Sequence, residues 1–163
     1  MEIATLLPAH WEEVKNIYLQ GIATGHATFQ TGAPTWEEWD KGHLATCRLV
    51  ATQADAVCGW AALTPVSGRC VYAGVAEVSV YVGENFRGQG VGHQLLESLI
   101  TQSESQNIWT LQAGIFPENV ASVKLHEKLG FRIVGLRERL AKMNGTWRNV
   151  YLLERRSQVV GIN

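Results

Sequence analysis

The stretch that decides the fold is Ala76–Ile100, AEVSVYVGENFRGQGVGHQLLESLI. It opens with alternating residues that put Val78, Val80 and Val82 on one face, the pattern of a strand buried on one side. It closes with leucines at helical spacing, which predicts an amphipathic helix from Val91 to about residue 106. A turn rich in glycine joins the two, so strand, turn and helix form one unit of an α/β fold.

The flanking sequence predicts further strands and helices around this unit. Thr35 and Glu38 have the spacing of a capping box at a helix start, and Asn144-Gly145 favours a β-hairpin. We expect a loose tail from residue 155 onward. The remaining predictions are strands over 2–6, 48–52, 57–64 and 109–115, helices over 8–19, 35–44 and 117–130, a loop over 21–34, and hairpin strands over 131–142 and 146–153.

This order mixes antiparallel neighbours with a strand–helix–strand crossover, which favours one mixed sheet with helices on its faces. A chain of 163 residues suits one domain, so we expect residues 1–163 to form a single α/β (α+β) domain.

Composition argues against several classes of partner. The formal net charge of −1 gives no general attraction to nucleic acid or to an anionic membrane, and no apolar run is long enough to span a bilayer. Cys47, Cys58 and Cys70 form no CxxC pair, so we expect no disulfide framework, no metal site and a reducing, cytoplasmic location. A nucleophilic role for one cysteine stays open.

The turn Arg87-Gly88-Gln89-Gly90-Val91-Gly92 lies where the strand gives way to the helix. Glycines allow a ligand to approach the backbone, and the first turn of a helix has unpaired N–H groups and a partial positive charge. Together these features favour a site for phosphate or pyrophosphate. The spacing matches neither a Walker loop nor a dinucleotide fingerprint. A tight turn that needs glycine for geometry alone is the alternative.

This region resembles the cofactor-binding core of the GNAT superfamily of acyl-CoA-dependent N-acetyltransferases, and Arg87, Gly90 and Gly92 fit its motif. The segment PENVASVKLHEKLGF, residues 117–131, is similar to the family's next motif. HATFQTGAPTWEEW and GTWRNV look like the phosphinothricin and methionine sulfone acetyltransferase branch. The resemblance implies a mostly antiparallel sheet with a splayed central strand pair, acetyl-CoA as co-substrate, and a homodimer.

The same resemblance implies roles for particular residues. Backbone groups of the glycine turn would hold the CoA pyrophosphate, and the strand edge would hold the pantetheine and the acetyl carbonyl. Asn119 would contact the cofactor, and a role only as a helix cap is the alternative. The implied cofactor-binding residues are Val80, Tyr81, Val82, Arg87, Gly88, Gln89, Gly90, Val91, Gly92, Asn119 and Ser122.

Glu77 and His126 are the candidate catalytic residues. Glutamate is uncommon in strands, and alternation puts Glu77 on the face opposite the valines. The resemblance implies that Glu77 is a general base for the substrate ammonium. His126 stands where many relatives have a tyrosine that protonates the departing thiolate. It would be that acid, or hydrogen-bond the sulfur or the substrate. A solvated glutamate and a histidine satisfied by a backbone carbonyl are the structural alternatives.

The acceptor pocket is predicted from residues that could hold an amino acid-like amine. Arg69 would bind a carboxylate through two hydrogen bonds, and Phe29 and Trp147 would form apolar walls. Thr28, Tyr72 and Glu77 complete the predicted pocket. For the aromatic residues, ordinary packing is the alternative, and for Arg69 it is a solvated charge. The function expected is acetyl transfer to a small primary amine. The alternatives are a polyamine, an aminoglycoside or a protein N-terminus as acceptor, or a CoA-binding module without turnover.

Overall fold

Seven strands form one sheet in the order β1-β2-β3-β4-β5-β7-β6 in a computed structural model that describes residues 1–163. All neighbouring strands are antiparallel except β4 and β5, which are parallel. The mixed, mostly antiparallel sheet is therefore confirmed. The strands are β1 Glu2–Thr5, β2 Leu49–Gln53, β3 Ala56–Pro65, β4 Val75–Val82, β5 Thr110–Ile115, β6 Arg132–Met143 and β7 Thr146–Arg156.

Four α-helices flank the sheet: α1 Trp11–Ala23, α2 Trp36–Gly42, α3 Val91–Ser105 and α4 Val120–Lys128. Pro8–His10 forms a 3₁₀ turn ahead of α1, so the helix begins later than the proline suggested. The capping box is confirmed, because the Thr35 hydroxyl accepts from Glu38 N and the Glu38 carboxylate accepts from Thr35 N. No helix combines the length and apolarity needed to cross a membrane.

The helices pack on opposite faces of the sheet. On one face α3 buries Leu95, Leu96 and Leu99 completely against the sheet, and each such leucine contributes roughly 1.5–3 kcal/mol. Gly59 of β3 makes this contact possible, because a Cβ there would lie 2.9 Å from side-chain atoms of both Val91 and Leu95. On the other face α1 and α2 cover an aromatic cluster of Trp11, Trp39 and Trp60, with Tyr18, Trp36 and Tyr81 packed against it.

The parallel pair β4–β5 is joined only at its start. Val75, Ala76 and Glu77 pair with Thr110–Gln112, and the register ends there although both strands continue. On its other side, β4 stays paired with β3 through Val82. The splayed central pair is thus present, and one backbone edge of β4 beyond Glu77 has no strand beside it.

The predicted loose tail is wrong for its first half. Strand β7 runs to Arg156, and Ser157 is buried, with its hydroxyl donating to Glu104 Oε2 over 2.6 Å. The guanidinium of Arg156 donates to the backbone oxygens of Val160 and Gly161. The segment is polar, so its order comes from pairing with β5 and from these hydrogen bonds, which apolar periodicity does not reveal.

Candidate active site

The glycine turn forms an open cradle at the start of α3. Gly88 and Gly90 have φ of +75° and +80°, and a Cβ built on either meets nothing within 4 Å. Gly90 is the N-cap of α3 and has no side chain to bond the first-turn N–H groups. Gln94 N donates to Gly90 O over 3.1 Å. The cradle therefore offers free backbone donors and empty space, which fit a pyrophosphate. Arg87 and Gln89 are exposed beside it.

The cradle adjoins α4. A Cβ on Gly92 would lie 3.2 Å from Leu125 Cδ2, so this glycine also permits close packing of α3 against α4. Asn119 caps α4, because its Oδ1 accepts from Ser122 N over 3.3 Å and its Nδ2 donates to His26 O over 3.2 Å. The capping role of Asn119 is confirmed, and contact of Asn119 or Ser122 with the cofactor stays a prediction.

Glu77 is the last residue of β4 to pair with β5. Its register partner is Gln112, whose Nε2 donates to Glu77 Oε1 over 3.0 Å. The side chain is half-buried and forms no ion pair. A carboxylate held by a neutral amide keeps lone pairs available for another proton. Glu77 therefore lies where β4 and β5 separate, and its carboxylate has lone pairs that no donor within the protein occupies.

His126 lies on the buried side of α4. It is 4% exposed, and its ring packs edge-on against Phe131 with centroids 5.0 Å apart. Nδ1 lies 2.7 Å from Ser122 O. Since a carbonyl can only accept, Nδ1 carries the hydrogen and Nε2 is left as an acceptor. Burial lowers the pKa of His126, which keeps the ring neutral near neutral pH. The backbone contact named as the structural alternative is present, and a catalytic role for His126 stays a prediction.

A cleft of about 560 Å³ opens on the same sheet face as Glu77. Ser79 and Tyr81 of β4, which alternate with Glu77, form its floor. Burial raises the pKa of Tyr81 and of Tyr18, so both phenols stay protonated. The indole Nε1 atoms of Trp39 and Trp60 are buried without a hydrogen-bond partner. The lining residues are Tyr18, Thr28, Gln30, Thr31, Gly32, Ala33, Pro34, Glu38, Trp39, His43, Trp60, Ser79 and Tyr81.

Of the predicted acceptor residues, Thr28 lines this cleft. Phe29 lies next to it in sequence and packs edge-on against Phe116 with centroids 4.9 Å apart. Arg69 and Tyr72 are exposed outside the lining, and the Arg69 guanidinium makes no hydrogen bond or ion pair. Trp147 is 54% exposed and carries Lys142 Nζ 5.2 Å from its ring centroid. The lining of the cleft does not include the other predicted acceptor residues, and their roles stay predictions: Phe29, Arg69, Tyr72, Glu77 and Trp147.

Sequence reasoning missed Arg148, which ties three parts of the site together. Its side chain is 13% exposed and its guanidinium carbon lies 4.2 Å from the Phe116 ring centroid. The guanidinium donates to Gly25 O, His26 Nδ1 and Glu118 Oε2 over 2.9, 3.0 and 3.3 Å. Arg148 therefore anchors the loop that carries Thr28 to the hairpin and to the approach to α4. The one signal for it was its place in GTWRNV.

Three cleft residues, Trp39, Trp60 and His43, were also missed, as was Gln112. The sequence analysis assigns no role to Trp39 or Trp60, and His43 belongs to no motif. Gln112 is a polar residue inside a strand, like Glu77, which is the signal that pairs them. Burial raises the pKa of the Cys47 and Cys58 thiols, which argues against either as a nucleophile. No group of three or more potential metal ligands occurs.

The sequence is similar to that of known acetyltransferases. Residues 11–131 match the model of the acetyltransferase (GNAT) family. A Bacillus subtilis protein, described as a proposed phosphinothricin acetyltransferase, is 36% identical over 149 residues, which is 88% of this chain and 91% of that protein. An L-methionine sulfoximine/L-methionine sulfone acetyltransferase of Pseudomonas paraeruginosa is 36% identical over 83 residues, 51% of this chain and 48% of that protein.

A solved structure extends the likeness to the whole fold. The Sinorhizobium meliloti phosphinothricin acetyltransferase, in complex with acetyl-CoA, superposes with a TM-score of 0.89 at 23% identity, covering 99% of this chain and 91% of that one. The glycine cradle, the uncapped start of α3 and the free edge of β4 are suited to that co-substrate. The family match and the Bacillus subtilis relative establish that this chain belongs to the acetyltransferase (GNAT) family and is an acetyl-CoA-dependent N-acetyltransferase.

Proposed function

We propose that the enzyme acetylates the α-amine of a small amino acid-like acceptor, of which phosphinothricin, methionine sulfone and methionine sulfoximine are the candidates. The observation that carries this proposal is the position of Glu77. Its carboxylate stands where β4 and β5 part, on the face that holds the acceptor cleft. The relatives named above as acting on these compounds support the choice of acceptor class.

The chemistry starts with a proton transfer to Glu77. The acceptor enters as an ammonium, and Glu77 takes one proton from it directly or through a water molecule, which frees the nitrogen lone pair. The amine then attacks the thioester carbonyl, the new C–N bond forms and the C–S bond breaks. A backbone N–H on the free edge of β4, at Val80–Val82, stabilises the oxyanion, a contribution typically worth about 3 kcal/mol. The nitrogen loses its second proton to the departing thiolate, so the products are the amide and the CoA thiol, with the first proton left on Glu77.

His126 acts as a neutral hydrogen-bonding group rather than as a ready acid. Its one N–H is used by Ser122 O, and its lowered pKa disfavours the imidazolium. Nε2 can therefore accept a hydrogen bond from the thiol or from the acceptor, but cannot donate a proton unless it first receives one. Of the two roles predicted for His126, we favour hydrogen bonding to the sulfur or the substrate.

Arg69 is our proposed ligand for the acceptor carboxylate. Its guanidinium is exposed and has no protein partner, so both of its donor pairs are available. Tyr72 follows in the same segment, directly ahead of β4. Phe29 and Trp147 complete the proposed apolar surroundings, with Phe29 held by Phe116.

The alternative acceptors fit the cleft less well. A polyamine or an aminoglycoside is polycationic, and the cleft lining contains one carboxylate, Glu38. A module that binds CoA without turnover has no need of Glu77 at the splay. These readings remain distinguishable by kinetics.

We further propose a homodimer formed through the β6–β7 hairpin. Strand β6 is the edge of the sheet, and Ile133, Val134, Leu136 and Leu140 are each at least 39% exposed along it. Trp147 on β7 is exposed as well. An apolar surface of this kind on a sheet edge is typical of a self-association site. Light scattering should give a mass near twice 18.0 kDa, and a monomer at micromolar concentration would refute the dimer.

The test of function is thiol release from acetyl-CoA over an amine panel of phosphinothricin, methionine sulfone, methionine sulfoximine, ordinary amino acids, spermidine and an aminoglycoside. Turnover confined to the amino acid analogues supports the proposal. A clean preference for spermidine or the aminoglycoside keeps the chemistry and replaces the acceptor.

A further inference from the structure

The acceptor cleft contains no positively charged side chain that could bind an anionic group of the acceptor. None of its lining residues is lysine or arginine. Its one carboxylate is Glu38, whose Oε1 accepts from Thr35 N over 3.1 Å and from Thr35 Oγ1 over 3.0 Å. These hydrogen bonds lower the pKa of Glu38, so it is ionised at neutral pH. Formal charge in the cleft is therefore negative.

Arg48 lies close to the cleft, but its charge is neutralised outside it. Arg48 has its guanidinium carbon 5.1 Å from the Trp39 ring centroid. It is bound by the Asp40 carboxylate and by the carbonyl oxygens of Asp40, Leu44 and His43. With its donors engaged this way, Arg48 is not available to a ligand. Burial lowers the pKa of nearby His43, and the positive charge of Arg48 adds to this effect.

His43 is the polar group that the proposed mechanism leaves unused. Its ring stacks on Trp39 with centroids 4.0 Å apart and planes at 19°, and Nδ1 lies 2.7 Å from Trp39 O. Nδ1 must donate to that carbonyl, so Nε2 is an acceptor, and it has no hydrogen bond within the protein. The buried side-chain polar atoms that lack a hydrogen-bond partner are the indole nitrogens of Trp39 and Trp60, so the unpaired Nε2 of His43 is not buried. It is therefore reachable, and His43 lines the cleft.

We propose that His43 is a specificity-determining residue that contacts the acceptor's side chain through Nε2, and that the cleft favours neutral polar side chains over anionic ones. This inference rests on the proposed function and narrows it. Methionine sulfone and sulfoximine carry neutral side chains, and the sulfoximine N–H can donate to Nε2. The phosphinate of phosphinothricin is an anion at neutral pH. In this cleft it would meet Glu38 and a nitrogen lone pair, and the lining contains no lysine or arginine to offset its desolvation.

The test compares kcat/KM for methionine sulfone, methionine sulfoximine and phosphinothricin in four proteins. The wild type should favour the sulfone and the sulfoximine over phosphinothricin by about tenfold or more, as expected for one uncompensated charge in a partly solvated site. His43→Lys should raise the phosphinothricin-to-sulfone ratio at least about tenfold. Gln30→Lys adds a cation to the cleft without touching the aromatic stack and should raise the ratio too. His10→Lys, on the turn before α1, is the matched control and should leave it unchanged.

Equal or better use of phosphinothricin by the wild type overturns the inference. So does an unchanged ratio in both lysine variants of the cleft, and Gln30→Lys decides if His43→Lys does not fold. Absence of turnover with every acceptor refutes the proposed function instead. Quenching of tryptophan fluorescence, which Trp39 and Trp60 report from the cleft, then decides by binding alone. Tighter binding of phosphinothricin than of the sulfone would overturn the charge argument.

Discussion

The cradle assignment can be tested with two glycines that share a conformation but not a location. Gly90 at the start of α3 and Gly145 in the hairpin turn have φ of +80° and +79°, and a Cβ built on either meets nothing within 4 Å. Replacing each with leucine should therefore cost the folded state a similar amount, roughly 1–2 kcal/mol for a left-handed residue. Urea unfolding measures this cost.

The two variants should differ in acetyl-CoA binding. A side chain on Gly90 occupies the empty space beside the first-turn amides, where the pyrophosphate would approach. Calorimetric titration should show acetyl-CoA affinity reduced by about tenfold or more in Gly90→Leu, which corresponds to at least about 1.4 kcal/mol. Gly145→Leu should bind as the wild type does. Equal affinity in the two variants would refute the cradle, because the strain is matched and the location alone differs.

Three further outcomes are expected. Glu77→Gln should lower kcat by about 100-fold or more, the lower range for a lost general base, and should leave acetyl-CoA affinity unchanged. The control Glu97→Gln, on the exposed side of α3, should keep full activity. Equal activity in the two variants would remove Glu77 as the base. A lysine at position 148 cannot make the several hydrogen bonds by which the Arg148 guanidinium holds the acceptor loop. Arg148→Lys should therefore raise the KM for the acceptor several-fold and leave acetyl-CoA binding unchanged, with Arg132→Lys as the control. An unchanged KM would contradict this role. Because burial depresses the pKa of His126 below 6.5 in the folded chain, the unfolded chain binds the proton more readily, and the free energy of unfolding should fall as pH drops below about 6.5. His126→Phe should flatten that slope in urea titrations, and an unchanged slope would contradict the assignment.

Local patterns predicted the elements that depend on local physics. The Thr35–Glu38 capping box, the Asn144-Gly145 turn and the alternation of β4 all require only neighbouring residues, and each is confirmed. The resemblance supplied what spacing could not, namely the splay of β4 from β5 beyond Glu77. Nothing in either strand's own sequence shows where a parallel pair comes apart.

The parts that escaped prediction depend on contacts between distant segments. Arg148 meets Gly25 across 123 positions, and Gln112 meets Glu77 across 35. The order of Ser157 depends on Glu104, which lies on a helix far along the chain. The proposed role of His43 depends on its stacking on Trp39 and on the cleft, which forms only when α2 covers the sheet. Such residues become visible once the sheet brings their segments together.

The most direct test of the central claim is the stoichiometry of one reaction. Purified protein would be incubated with acetyl-CoA and L-methionine sulfone, with free CoA thiol followed by a colorimetric reagent and the amine product by mass spectrometry. We expect one N-acetylated sulfone for each thiol released, and both signals to form at least about 100-fold more slowly in Glu77→Gln. Tight binding of acetyl-CoA without thiol release, from this acceptor or any other amine in the panel, would contradict the account and leave only the cofactor cradle standing.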